Sequence, residues 1–254
     1  MKGVGLYSKF HGESVESDWF RTVSLYELCR SIPGLYAPRP VKIDLKQKII
    51  MYERVDCSLP LMQANGKLEE VLYQFGQKLA EFHILSTGQI ACSAQSNRVN
   101  SFSLGLGLDS VAANQLTQEL PLSFLHGDCW HGNVFVSEPG SFLILDPLPA
   151  NRFRYVIPDV GNPALDIAFL FFSIKICMPL FSLVGSDSEY RAQLAHAALD
   201  GYLSKMQAET CRNSILKLSH LLGAIWLDDL PRRLQFPIGQ IKRFIGYGKL
   251  EPRE

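Results

Sequence analysis

Three oxygen-bearing side chains in the middle of the chain have the types and the spacing that metal-assisted phosphoryl transfer requires. Asn133 follows Asp128 by five residues, and Asp146 ends a short apolar segment. A carboxylate on a rigid loop can accept the proton of an attacking hydroxyl, whereas an amide oxygen and a second carboxylate are hard ligands for Mg²⁺. We therefore predict that Asp128 is the catalytic base and that Asn133 and Asp146 bind the metal.

The residues between Asn133 and Asp146 predict how these side chains meet. Val134–Val136 is apolar, Glu138–Ser141 is typical of a turn, and Phe142–Leu145 is apolar again. This pattern predicts a β-hairpin, which would return Asp146 to a position beside Asn133.

The loop has the sequence His-Gly-Asp-x-x-x-x-Asn, and with the apolar strand ending in Asp it resembles the aminoglycoside phosphotransferase and choline kinase-like family. Three other segments, Ile49–Asp56, Phe75–His83 and Gly161–Ala168, are similar to the family's hinge, the helix before its catalytic loop and its GDPA-x-DLA segment. The Asp-Pro pair at Asp146 resembles fructosamine-kinase-like and streptomycin-kinase-like relatives.

The resemblance implies an α+β, protein-kinase-like fold with two lobes. Residues 1–56 would form a shortened N-terminal lobe that clamps the nucleotide, and residues 57–254 a mainly helical C-terminal lobe that carries the catalytic loop and the acceptor site. The implied enzyme is a small-molecule kinase that uses ATP and Mg²⁺. Its acceptor would be a hydroxyl or amine of an aminoglycoside, a sugar derivative or an amino alcohol.

The resemblance also implies residues that bind the nucleotide. Lys9 would pair with the ATP phosphates, and Glu27 would be the helix carboxylate that holds Lys9, although the family spacing places that acid nearer Ser24. The carbonyl of Glu53 and the amide of Val55 would hold adenine at the hinge. Only eight residues precede Lys9, too few for the usual first hairpin, and an exposed lysine with a solvated glutamate is the alternative interpretation of the Lys9–Glu27 pair.

Other polar residues near the motif are predicted to have structural roles. A histidine before the base, His126, is expected to fix the loop by hydrogen bonds rather than transfer protons. Asp166 starts an apolar helix and is expected to cap its first turn or to bind backbone amides of the catalytic loop. Trp130 and His131 are expected to pack.

Composition limits the class of protein. The 254 residues are 47% hydrophobic and carry 25 basic and 25 acidic side chains, so no charge excess favours nucleic acid or an anionic membrane. We expect a small-molecule partner, whereas nothing in the sequence predicts an oligomeric state. Six scattered cysteines without CxxC pairs argue against zinc and for reduced thiols. With no apolar signal core, we expect a cytoplasmic protein.

Hydrophobic periodicity predicts the elements that carry these residues. Strands are expected at Val4–Phe10 and between Val41 and Val55, and a loop at residues 86–110. The apolar run Ala164–Val184 contains charges and a proline, which indicates a core helix rather than a membrane span. The other predicted helices are one that Ser17 caps and that ends at Ile32, and those at Leu68–Leu85, Tyr190–Met206 and Ser214–Leu230, the last ended by Pro231.

Two questions stay open at the level of sequence. Arg152 and Arg154 could bind an acidic acceptor or face solvent, and Asp228 and Asp229 could bind a cationic or sugar acceptor or lie on a helix surface. The second possible function is a non-catalytic, degenerate kinase-like protein that binds nucleotide for regulation.

Overall fold

The computed structural model of the chain describes residues 6–11, 14–55, 59–64, 67–87, 107–147, 160–177 and 188–234. Within them the fold mixes helices with three small sheets. The helices are α1 (Val15–Cys29), α2 (Leu68–Thr87), α3 (Ser110–Glu119), α4 (Ala164–Phe172), α5 (Ser188–Met206) and α6 (Arg212–Leu234), and the strands are β1 (Leu6–Phe10), β2 (Leu35–Tyr36), β3 (Pro40–Asp44), β4 (Ile49–Glu53), β5 (Leu59–Pro60), β6 (Ser123–Phe124), β7 (Val134–Glu138), β8 (Ser141–Ile144) and β9 (Val160–Gly161).

The first sheet has the strand order β1-β4-β3, and both of its pairs are antiparallel. Ile50 and Tyr52 in its central strand are buried, and they pack with Val15 and Trp19 of α1. Alternate residues of a strand point to the same face, so burial of Ile50 and Tyr52 places the covered face of the sheet against α1. Lys9 lies in β1 of this sheet.

The second sheet has the order β2-β8-β7-β5 and contains the predicted hairpin between Asn133 and Asp146, here called the catalytic hairpin. Strands β7 and β8 form the hairpin, whereas β2 comes from the chain just after α1 and pairs with β8 in parallel. Gly34 precedes β2 with φ of +78°, a left-handed conformation that glycine adopts without strain. The N-terminal part of the chain therefore contributes a strand to the sheet of the catalytic loop.

Helices form the larger core. The periodicity predicted for α2 is confirmed, because Leu72, Phe75, Leu79 and Phe82 are fully buried on one face. Helices α2 and α5 approach closely at glycines, where a Cβ on Gly76 would overlap the carbonyl oxygen of Ala198. The α2–α5 contact is thus a backbone-to-backbone packing that only small residues permit.

Helix boundaries differ from the prediction most clearly at both ends of α1 and at the end of α6, and α1 ends at Cys29 rather than at Ile32. Helix α1 begins at Val15 rather than after Ser17, whose hydroxyl instead donates 2.8 Å back to the carbonyl of Ser14. Glu16 and Asp18 put negative charge in the first turn, where it stabilises the helix dipole. Helix α6 continues past Pro231 to Leu234, since a proline removes one hydrogen bond but has a helical φ.

Helix α3 was not predicted and begins at the last residue of the expected loop, of which residues 88–106 lie outside the described part. Asp109 caps it by accepting a hydrogen bond of 2.7 Å from the amide of Ala112. The apolar run from Ala164 forms α4 and then a short π-helix, Ser173–Cys177. The rest of the run lies outside the described residues. In the described part of the chain, no helix combines the length and the apolarity needed to cross a membrane.

Candidate active site

Asp128 and Asn133 are held together inside residues 126–133, the segment that the motif predicts to be the catalytic loop. The amide nitrogen Nδ2 of Asn133 donates to the carboxylate Oδ2 of Asp128 at 3.1 Å and to its backbone carbonyl at 3.0 Å. Both side chains are buried, with 8% and 9% of their surfaces exposed. Since the nitrogen end of the amide is engaged by Asp128, the oxygen of Asn133 is the atom that can ligate a cation.

The β7–β8 hairpin brings Asp146 to this pair, as predicted from the turn sequence. Val134 lies opposite Ile144 in the antiparallel register, and the amide of Leu145 donates to the carbonyl of Asn133 at 2.8 Å. Asp146 is the next residue along the chain, so the hairpin fixes its backbone beside Asn133.

Asp146 has an unusual backbone and a cationic partner. Its φ of +56° lies in the left-handed region, which is uncommon for a residue with a side chain and is often found at functional sites. Its carboxylate Oδ1 lies 2.6 Å from the Nζ of Lys9, and the two side chains are 49% and 36% exposed. The structure therefore brings Lys9 of the first sheet to the end of the catalytic hairpin.

Asp166 binds the backbone of the catalytic loop. Its carboxylate accepts hydrogen bonds from the backbone amides of His126, at 2.7 Å, and Gly127, at 2.8 Å, and it lies 3.1 Å from Nε2 of His83. Burial raises the pKa of Asp166, but the hydrogen bond and charge of His83 and the amide of Gly127 together hold it below its ordinary value. Of the two predicted roles, the structure shows binding of the loop amides.

His126 also has the predicted structural geometry. Its Nε2 lies 2.9 Å from the carbonyl of Leu145, while its Nδ1 accepts from the amide of Asp128 at 3.3 Å. These partners require a neutral ring with the proton on Nε2. Complete burial, more than any other influence, lowers the pKa of His126 to about 4, which agrees with a neutral ring. His126 thus links the loop to the hairpin.

Trp130 and His131 pack against each other, with ring centroids 5.2 Å apart. The amide of His131 donates to the hydroxyl of Ser173 at 3.0 Å, and burial lowers the pKa of His131 to about 4. Gly132 lies so close to the Trp130 ring that a Cβ there would be 2.6 Å from it. These contacts agree with the expected packing role.

A cleft of about 220 Å³ lies between the first sheet and the catalytic loop. Asp128 and Lys9 both line it, and its walls include an acid, Asp18, and a histidine, His11, that the sequence analysis did not select. The residues that line it are Lys9, Phe10, His11, Ser14, Asp18, Thr22, Tyr52, Asp128, Asp146 and Pro147.

The predicted pairing of Glu27 with Lys9 is corrected by the structure. Glu27 forms an ion pair with Arg30 at 3.0 Å on an exposed part of α1, whereas the partner of Lys9 is Asp146. Positions three residues apart on a helix face each other, so Arg30 is the nearer cation for Glu27. The acid of α1 that lines the cleft is Asp18, which lies much nearer the start of the helix.

Glu53 and Val55 lie at the end of β4, where the chain passes from the first sheet toward the second. The Glu53 amide donates to the carbonyl of Arg39 at 2.9 Å, and its carboxylate lies 3.1 Å from the Arg39 guanidinium. Their assignment to adenine stays a prediction. Arg152 and Arg154 lie outside the described residues, as do the side chains of Asp228 and Asp229.

Arg21 is a residue of the site that sequence reasoning missed. It is buried on α1, and its Nη2 lies 3.2 Å from the carbonyl of Leu125 and 3.4 Å from that of His126. Its spacing from Leu25 and Leu28 is the signal that could have found it, because residues four and seven apart share a helix face. Arg21 ties α1 to the catalytic loop.

The donor set fits a magnesium nucleotide. The Asn133 amide oxygen and the Asp146 carboxylate are hard oxygen ligands, and Lys9 adds a positive charge beside Asp146 in the cleft. Asp128 lies beside Asn133, where a base is needed.

No family model and no curated protein matches the chain. Solved structures do. The streptomycin–ATP–APH(2")-IIa ternary complex superposes with a TM-score of 0.53 at 15% identity, over 87% of this chain and 76% of that one. A choline/ethanolamine kinase family protein from Mesorhizobium loti gives 0.51 at 11% identity, over 89% and 72% of the two chains. A glucosamine kinase gives 0.52 at 14% identity, over 89% and 71%.

These neighbours are the class of proteins that the catalytic-loop motif predicted, and the expected fold is confirmed. Identities of this size establish the architecture and leave the acceptor open. The chain accordingly has the α+β, two-lobed, kinase-like fold found in aminoglycoside phosphotransferases and choline kinase-like proteins.

Proposed function

We propose that this protein is an ATP-dependent phosphotransferase that phosphorylates a hydroxyl or amine of a small molecule. The observation that carries the proposal is that Asp128, Asp146 and Lys9 line one cleft and that Asn133 is hydrogen-bonded to Asp128. We further propose that residues 1–56 act as the nucleotide-clamping lobe and residues 57–254 as the lobe that binds the acceptor.

Each residue has a separate task in this reaction. Asp128, oriented by the Nδ2 of Asn133, accepts the proton of the acceptor as its oxygen or nitrogen attacks the terminal phosphorus of ATP, and the bond from that phosphorus to the bridging oxygen breaks to release ADP. The oxygen of Asn133 and the carboxylate of Asp146 would hold Mg²⁺, which neutralises phosphate charge when bound. Lys9 would exchange its contact with Asp146 for a contact with the phosphates.

The similar solved structures suggest a chemical class for the acceptor. The similar solved structures are a complex with streptomycin, a glucosamine kinase and a choline/ethanolamine kinase family protein, and all four of these compounds carry hydroxyl groups together with basic nitrogen or its quaternary form. We expect an acceptor of this kind, which combines a hydroxyl with a cationic centre.

The test is turnover of ATP in the presence of Mg²⁺ against a panel of aminoglycosides, amino sugars and amino alcohols. Wild-type protein should consume ATP with at least one of them. Asp128→Asn should lower kcat by roughly 10²–10⁴-fold, the usual contribution of a general base, because the amide cannot accept the proton. Turnover that this substitution leaves unchanged would refute Asp128 as the base.

A second function, nucleotide binding without catalysis, is favoured by the ion pair between Lys9 and Asp146. If Asp146 stays paired with Lys9 when a nucleotide binds, it does not hold the Mg²⁺ that phosphoryl transfer needs, and the nucleotide is bound without turnover. Equilibrium binding of ATP with no turnover for any acceptor would favour this alternative.

A further inference from the structure

His11 joins α1 to the first sheet directly beside Lys9. Its amide donates to the carbonyl of Lys48 at 2.9 Å, so the β1–β4 ladder continues beyond the last residue of β1. Its Nδ1 lies 2.9 Å from Oδ2 of Asp18 on α1, and its Nε2 lies 3.1 Å from the hydroxyl of Tyr52 on β4. One imidazole thus contacts the helix and the central strand together.

The chemistry of the partners fixes which atom donates. A carboxylate only accepts, so Nδ1 of His11 carries a proton toward Asp18. The hydroxyl of Ser14 lies 2.8 Å from the same carboxylate oxygen and can donate to it as well. The side chains of His11 and Asp18 are 9% and 7% exposed, so the pair is largely shielded from water. Such a shielded, charge-assisted hydrogen bond resists displacement.

The pair lies where it can set the position of Lys9. Lys9 and His11 are two residues apart along the strand, a spacing that puts both side chains on one face. Both line the cleft with Asp18, and the Nζ of Lys9 reaches Asp146 across it. The helix acid expected from the family pattern, Glu27, is instead paired with Arg30.

We propose that His11 and Asp18 form a positioning pair that locks α1 to the lysine strand and thereby holds Lys9 over Asp146. The pair takes the place of the direct lysine–acid contact that the family pattern predicts. Its consequence for nucleotide affinity rests on the proposed function, whereas its effect on Lys9 does not.

Two nearly isosteric substitutions separate the contacts of His11. In His11→Asn the amide nitrogen reaches approximately the position of Nδ1 and retains the bond to Asp18. In His11→Gln it reaches approximately that of Nε2, so the bond to Asp18 is lost. Asp18→Leu provides the matching change on the helix, because an asparagine there would still offer an oxygen to Nδ1 of His11. Glu16→Gln, at an exposed position of the same helix, is the control, and Glu27→Gln tests the competing acid.

The first measurement is labelling of Lys9 by an amine-specific reagent in the nucleotide-free protein, quantified by mass spectrometry against the exposed Lys46. We expect His11→Gln and Asp18→Leu to raise Lys9 labelling several-fold, and His11→Asn and Glu16→Gln to leave it unchanged. Thermal unfolding of each variant checks that it is folded. Equal labelling in His11→Asn and His11→Gln overturns the inference, as does an increase confined to Glu27→Gln.

The second measurement is equilibrium binding of ATP with Mg²⁺ to the same variants. Loss of the contact to Asp18 should weaken binding about tenfold, the factor that one charge-assisted hydrogen bond supports. If wild-type protein binds no nucleotide while the labelling pattern is as expected, the proposed function fails and the positioning pair stands. If nucleotide binds but neither measurement separates the two His11 variants, the positioning pair fails and the proposed function stands.

Discussion

Asp166 is the residue whose loss should destabilise the protein most in this region. It is the acceptor for two buried backbone amides, so Asp166→Ala leaves both donors unsatisfied, at a cost of about 3–5 kcal/mol. Asp128 borders the cleft, and its removal should cost less. We expect a melting temperature that is roughly 10 °C lower for Asp166→Ala than for Asp128→Ala, measured by thermal unfolding. Equal melting temperatures would contradict the structural role of Asp166.

The buried histidines of the catalytic loop predict how stability depends on pH. Burial lowers the pKa values of His126 and His131 from 6.5 to about 4. Between these values the unfolded chain binds protons that the native protein does not, so the free energy of unfolding should fall as the pH falls from 6.5 to 4. A pKa difference of that size corresponds to roughly 3 kcal/mol for a fully buried group.

Urea unfolding at pH 7.5 and pH 5.0 measures this dependence. His131→Gln removes one of the two histidines and leaves the bond between His126 and Leu145 in place. The loss of stability between the two pH values should therefore be clearly smaller in the variant. An unchanged loss would show that His131 is protonated in the native protein.

Residue types and spacing were enough to predict that Asn133 and Asp146 meet, because a short hairpin is local and its turn sequence is specific. The supporting role of His126 could also be predicted. The His11–Asp18 pair could not, since its formation depends on the rotation of α1 against the sheet. For the same reason Glu27 was chosen: sequence distance alone does not tell which acid of a helix faces a strand.

At the scale of elements, the glycines between α2 and α5 give a prediction. Gly201→Ala would place a Cβ on the carbonyl oxygen of Tyr73, and Gly76→Ala would place one on that of Ala198. Alanine favours helix by about 1 kcal/mol over glycine, yet the overlap should reverse the sign and destabilise the protein by roughly 2–3 kcal/mol. Chemical denaturation measures the change.

Ser204→Ala is the matched control, since Ser204 is exposed on the same helix as Gly201. It should change stability by no more than about 0.5 kcal/mol. Stabilisation by either glycine substitution would mean that α2 and α5 are farther apart than described.

The periodicity of α2 predicted the helix and its buried face but not the helix that covers that face. Packing partners are long-range, and the sequence contains no local signal for the choice. Strand β2 was missed for a related reason: Leu35 and Tyr36 are too few to show an alternating pattern, and their strand exists only because β8 offers an edge.

At the scale of the whole molecule, the ion pair between Lys9 and Asp146 connects the two sheets. Both side chains are more than one-third exposed, so the pair should contribute little to stability. Lys9→Met should therefore keep the melting temperature within about 2 °C of wild type and weaken ATP binding about tenfold or more, because a phosphate partner is lost. Lys42→Met, at an exposed position of the same sheet, should change neither quantity. A large fall in melting temperature would assign Lys9 to the scaffold.

The pairing of β2 with β8 holds the carboxyl end of α1 more firmly than its amino end. The carboxyl end of this helix is followed within a few residues by β2, which pairs with β8, so any tilt of α1 would turn about that end. Fifteen residues of helix make a lever of about 22 Å, so a tilt of about 10° displaces its amino end by roughly 4 Å. Asp18 lies near the amino end, which such a tilt would displace, whereas Glu27 lies near the carboxyl end, which would stay in place.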